Sequence, residues 1–148
     1  MAKGSRRQGR VAALQALFEA DNSGHSAAEA LRRIVDSQGV PPESAAFAQG
    51  LIEGVVAQQD ELDQVIAGAA TAWPVKQLPA VDRNILRLAI REMLEDNGTP
   101  VKAAINEAVE LAKQFGSENS AKFVNGVLGT IERRRQETDP NHATAQRR

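Results

Sequence analysis

Cysteine and tyrosine are absent from this 148-residue sequence, and aromatic residues make up only 3% of it, as four phenylalanines and one tryptophan. Without cysteine there is no disulfide framework, thiolate metal centre or cysteine nucleophile, and a reducing compartment is the natural setting, so the expected location is cytoplasmic. Histidine is scarce too. His25 lies in a polar turn and His142 in a polar tail, which leaves little material for a Ser-His-Asp triad or a multi-histidine metal site. No run approaches transmembrane length. The stretch VAALQALF (11–18) is too short for a secretion signal and is interrupted by Gln15. A helical Glu-x-x-His pair, a glycine-rich phosphate loop and a Gly-x-Ser-x-Gly elbow are also missing. Asp60, Glu61 and Asp63 would leave a helix in different directions, as a solvated face does. The expectation is a non-enzymatic protein without catalytic residues, metal, cofactor or membrane attachment.

What is present is aliphatic: 42% of the residues are hydrophobic, and few of them are aromatic, which favours helices over a β-sandwich. Val11, Leu14, Leu17 and Phe18 define one face of a helix over 5–20. Ser26 and Glu29 form a capping box for a second helix ending near Gly39. After Pro41 and Pro42, the series Phe47, Leu51, Val55, Leu62, Ile66 predicts the longest helix, with a bend or register change near Gln58 to Asp60. Trp73-Pro74 and Leu78-Pro79 bracket a connector with room for a single turn, and Trp73 reads as a packing anchor. Residues 81–95 are apolar nearly all round, predicting a central buried helix stopped by Asn97-Gly98. Thr99 as N-cap, Pro100 at the first position and Gly116 after the last turn delimit the next helix. Ser117 is expected to cap a final helix through Phe123, Val124, Val127, Leu128 and Ile131. Asn125-Gly126 then falls in its interior, where a glycine suggests close approach by another helix or a ligand. These patterns predict an all-α fold of about six or seven helices in one domain, residues 1–135, followed by a disordered tail, 136–148, with nothing apolar larger than alanine.

Charge is unevenly placed. Lys3, Arg6, Arg7 and Arg10 give the first ten residues four cations and no acid, and a second, smaller basic cluster follows residue 132, leaving the body between them net acidic. Cations at a helix N-terminus oppose its dipole unless an anion compensates, and arginine suits phosphate and base stacking, so the arm predicts an RNA contact. Its plain alternative is a frayed, solubilising terminus. A second patch groups Ser117, Asn119, Lys122 and Phe123 near a helix start, a donor, cation and aromatic set that fits single-stranded RNA, although Phe123 also begins an apolar stripe.

The segments RRQGRVAALQALFEAD (6–21), LPAVDRNILRLAIREML (78–94) and VKAAINEAVELAKQFGSENSAKFVNGVLG (101–129), in that order and spacing, resemble the NusB family of bacterial transcription antitermination factors. The likeness runs to about Ile131 and implies about seven helices in two three-helix-bundle-like halves. It also implies binding to boxA-type single-stranded RNA together with NusE, a small-subunit ribosomal protein, in an RNA polymerase antitermination complex that promotes read-through of ribosomal RNA operons. By position, Lys3, Arg6, Arg7 and Arg10 match the family's basic RNA-binding arm, and Asn119, Lys122 and Phe123 its second RNA-contacting region. Asp82, with Val81 and Arg83 beside it, matches the NusE-facing surface. Gln8 and Gly9 interrupt the arm, and some members of the family form homodimers that cover it. Two other readings stay open. One is the RNA-binding module of ribosomal RNA cytosine methyltransferases, which would require a cofactor domain and a cysteine not found in these 148 residues. The other is a protein scaffold working through its acidic body without RNA.

Overall fold

The computed structural model describes residues 4–95 and 98–138. Lys3, Asn97 and the tail from 139 onward lie outside the described residues. Seven α-helices and one 3₁₀ turn follow in order: α1 (Ser5–Ser23), α2 (Ala27–Gln38), α3 (Pro42–Ala57), α4 (Gln59–Ala69), the turn Val75–Gln77, α5 (Ala80–Leu94), α6 (Val101–Phe115) and α7 (Ser120–Thr138). Among the described residues there is no strand, and no helix is long and apolar enough to cross a membrane. The expected all-α class is observed.

Local chemistry explains most boundaries. Ser26 Oγ accepts the Glu29 amide at 3.1 Å, as the capping box requires, and Gly39 ends α2 in the left-handed region at φ 63°. The single turn between the two prolines is present. Three expectations need correction. The long helix after Pro42 is two helices parted at Gln58, whose side chain accepts Arg91 Nη1 of α5 at 2.7 Å. Gly54 makes room for that arginine, since a β-carbon there would collide with the guanidinium. The longest helices are therefore α1 and α7, at 19 residues each. Thr99 does not cap α6, because Pro100 holds that position and the Thr99 hydroxyl instead accepts Arg6 Nη1 at 2.6 Å. Helix α7 continues to Thr138, three residues beyond the expected domain edge.

Helices α1, α2 and α3 pack as one three-helix group, and α5, α6 and α7 as a second, with α4 laid against α5 and α7. Helix α5 is the shared member, touching α1, α3, α4, α6 and α7. That position buries side chains on nearly every side of the helix, and Ile85, Leu86, Leu88 and Ile90 are all fully buried, each contributing about 1.5–3 kcal/mol relative to exposure. Arg134 of α7 donates to the Gly68 carbonyl at 2.6 Å and closes the end of α4.

Polar ties join the two groups. Asp21 at the end of α1 accepts from Arg83, Asn84 and Arg87 of α5 at 3.1, 2.9 and 3.3 Å. Arg87 also grips Asp63 of α4 with two bonds of 2.7 and 2.8 Å. Between α1 and α5, Arg10 forms a two-bond fork on Glu92, both at 2.7 Å, and each residue is at most 5% exposed. Removing one partner of such a buried pair strands the other charge. Arg10→Leu is expected to cost about 3–5 kcal/mol in urea denaturation, and pairing it with Glu92→Met should recover much of that loss because both charges then leave the interior.

Candidate nucleic-acid interface

The arginines of the N-terminal arm face three different environments. Arg10 is the correction: the expected RNA contact is buried, and its guanidinium is committed to Glu92. Arg6 is half-buried, bonded to Thr99, and its guanidinium lies 5.2 Å from the centre of the Phe47 ring, which Arg10 approaches at the same distance. Arg7 alone points outward, with 63% of its side chain exposed, and it bonds Glu107 of α6 at 2.8 and 3.1 Å. Gly9 is no gap in the arm. It is a point of close approach between α1 and α3, because a β-carbon there would stand 2.8 Å from the Ser44 carbonyl oxygen.

The Arg7 guanidinium holds the Glu107 carboxyl below the usual carboxylate range, chiefly through its hydrogen bonds, against the upward push of partial burial. The pair is open to solvent and worth little net stability, so an incoming phosphate can compete for the arginine.

At the α6–α7 junction the expected cap is reversed. Ser120 Oγ accepts the Ser117 amide at 2.9 Å and donates its proton to Asp82 Oδ1 at 2.7 Å. Asn119 and Lys122 are exposed on the turn and the first turn of α7, and Phe123 is half-buried between surface and core. Lys122 and Phe123 line an open groove of about 380 Å³ whose other wall is the connector from Ala69 to Trp73. Trp73 is not the packing anchor expected from sequence, being 63% exposed. Gly126, also on the groove, has no heavy atom within 4 Å of where a β-carbon would stand, so no helix approaches it. The helix accepts a glycine there at roughly 1 kcal/mol relative to alanine.

In the chain by itself, the expected partner-facing set at the start of α5 is largely occupied by contacts within the protein. Asp82 is 5% exposed and turned inward onto Ser120. Arg83 is consumed by Asp21 and by the carbonyls of Lys76 and Leu78, at 3.2 and 3.3 Å, which hold the connector in place. Val81 is half-buried against the core. Sequence reasoning passed over Glu92 and Glu107 and gave Thr99 and Phe47 other roles, as a cap and as part of an apolar series, yet all four contact the arm's arginines. Glu92 stands three and four residues after Ala89 and Leu88, an apolar register position that marks a buried acid.

Fold and surfaces together define an all-helical protein in which Arg7 of α1 and Lys122 at the start of α7 are among the exposed cations. A sequence profile described as the NusB family matches residues 7–133, and the chain belongs to that family. It is 49% identical to the transcription antitermination protein NusB of Dehalococcoides mccartyi over 127 residues, 86% of this chain and 89% of that protein. Among solved structures, T. maritima NusB superposes with a TM-score of 0.79 at 35% identity, covering 85% of this chain and 89% of its own. A crystal structure of the antitermination factors NusB and NusE in complex with dsRNA superposes at 0.76 and 25% identity, over 88% of this chain and 97% of the other.

Two outcomes follow from this geometry. Because the Glu107 pKa is depressed, the pair's stability is present above the ordinary carboxylate range and is lost as pH falls through the folded value. Thermal melts of wild type and Glu107→Gln, followed from about pH 7 down to about pH 3, should therefore converge at the acid end. Ser120→Ala leaves the Asp82 carboxylate buried without its donor and should cost about 1–3 kcal/mol by chemical denaturation.

Proposed function

We propose that this chain is a non-enzymatic transcription antitermination factor of the bacterial cytoplasm. It binds boxA-type single-stranded RNA together with a NusE-type partner, a small-subunit ribosomal protein, and so joins an RNA polymerase complex that promotes read-through of ribosomal RNA operons. The observation that supports this most is kinship along nearly the whole chain with NusB proteins, one of whose solved structures holds NusE and dsRNA.

The geometry gives the reading a division of labour. Arg7 supplies an exposed fork for a phosphate once Glu107 is displaced, and Lys122 supplies a point charge beside an aromatic ring. Asn119 adds amide donors and an acceptor for a base edge, and Arg6 steadies the arm against Thr99 and Phe47. Arg10 takes no part in RNA contact and sets the angle at which Arg7 leaves the surface. The phosphate contacts position the strand, and the groups near Phe123 meet its bases.

The test is fluorescence anisotropy with a labelled boxA-like oligonucleotide and a scrambled control, at two salt concentrations, with and without the NusE-type protein. Preference for the boxA-like strand, strengthened by the partner, is expected. Arg7→Ala and Lys122→Ala together should weaken binding and flatten the salt dependence by about one unit of slope per lost phosphate contact. Unchanged binding by that double variant would overturn the arm and patch assignment, and equal binding of both strands would overturn sequence recognition.

A further inference from the structure

The geometry points to Trp73 as a stacking wall for an unpaired nucleobase, in the groove it forms with Phe123 and Lys122. This inference rests on the RNA-binding reading above and adds a residue and a binding mode to it.

Three observations meet in the groove. Trp73 is the only tryptophan in the chain and 63% exposed, so a large apolar ring stands in water with its indole N–H free for a partner. The backbone that follows it is nonetheless braced, because Pro74 restricts its own φ and Arg83 holds the carbonyls of the next turn. Opposite it, Gly126 leaves open the space that any other residue's side chain would occupy. Glycine in the middle of a helix normally marks close approach of another segment. Here nothing approaches, and what the missing side chain leaves is the groove itself.

Charge decides the occupant. The side chains lining the groove include one cation, Lys122, and no acid, although the body of the protein is net acidic. At the other end Arg133 bonds the groove-lining Thr130 at 3.1 Å, and Arg134 bonds Gly68 beside Ala69. An aromatic-walled, acid-free slot with cations at both ends fits a base on the ring and phosphates on either side, the arrangement single-stranded nucleic acid requires. A duplex keeps its bases stacked on each other and cannot offer one. The volume, about 380 Å³, is at the small end of ligand sites and admits a base with its sugar.

The chain's single tryptophan reports on this slot directly. Titrating the full-length protein with a single-stranded boxA-like oligonucleotide should quench its emission, whereas a duplex of the same sequence should not. Trp73→Ala should weaken single-strand affinity by about ten-fold or more, and Trp73→Phe should retain most of it. Gly126→Leu fills the groove while favouring the helix, so it should raise the melting temperature and lower RNA affinity together, a combination a purely structural glycine cannot produce. If labelled RNA binds by anisotropy while Trp73 emission is unmoved and both Trp73→Ala and Gly126→Leu bind normally, the slot is overturned and the RNA-binding reading survives. If no RNA binds with or without the NusE-type partner, both fall. If the partner protein alone shifts the Trp73 emission and RNA adds nothing, the groove is a protein contact and the inference is overturned.

Discussion

The fork between Arg10 and Glu92 is the constraint on which the placement of Arg6 and Arg7 depends. It lies inside the contact between α1 and α5, and α5 is the helix against which both three-helix groups are built. A two-bond arginine–carboxylate contact is directional, accepting one rotation and one register of the helices that carry it. With Arg10 held, the helical repeat brings Arg7, three residues earlier, to α6 beside Glu107, and Arg6, four residues earlier, to Thr99 and the Phe47 ring. Gly9 lets α1 sit close enough to α3 for Phe47 to lie under both guanidiniums. The buried cation contributes little net stability of its own compared with an apolar pair, but it aims the exposed one.

A second set of ties does for the connector what Arg10 does for the arm. Asp21, Arg83, Asn84, Arg87 and Asp63 form one connected network across α1, α4 and α5. Arg83 extends it to the carbonyls of the turn that follows Trp73. The wall of the groove is thus held by backbone bonds and a proline, with its large ring left out of the core. An aromatic ring carried on a braced connector has few torsions of its own to freeze on meeting a flat partner, which is why such residues serve as recognition surfaces.

Much of this was legible in the sequence. The apolar periods in 11–18, 81–94 and 101–115, the Ser26–Glu29 box and the paired prolines around Val75 each specify a local structure without outside help, and each is found. The failures are all tertiary. The interruption expected near Gln58 is there, but it is a full break that leaves two helices instead of one long one, with Arg91 reaching from α5 to Gln58 across Gly54. Thr99 before a proline has the form of a cap, yet its hydroxyl is claimed by an arginine of α1. Arg10 read as part of a basic cluster, but it stands three and four residues before Ala13 and Leu14, on the buried stripe, and only an acid at the matching place on α5 makes that tolerable. Trp73 was invisible as a surface residue because nothing in a short connector tells which side of it meets the core.

The same distinction bears on how acidic and basic positions of this family should be read. Asp82 is an acid in the first turn of α5, favourable to the helix dipole, and nothing in its local sequence separates a partner-facing carboxylate from an internal one. In the structure it is turned inward onto Ser120, which is fully buried and also takes the amide of Ser117. Gly116 packs against the same serine so tightly that a β-carbon would overlap its side chain. A change at Asp82 is therefore felt first at the α6–α7 junction, where Asn119 and Lys122 are presented, two residues to either side of the buried hydroxyl at most. An effect of that substitution on RNA affinity is accordingly no evidence that the carboxylate touches RNA or a protein partner, because the hydrogen bond transmits it from inside.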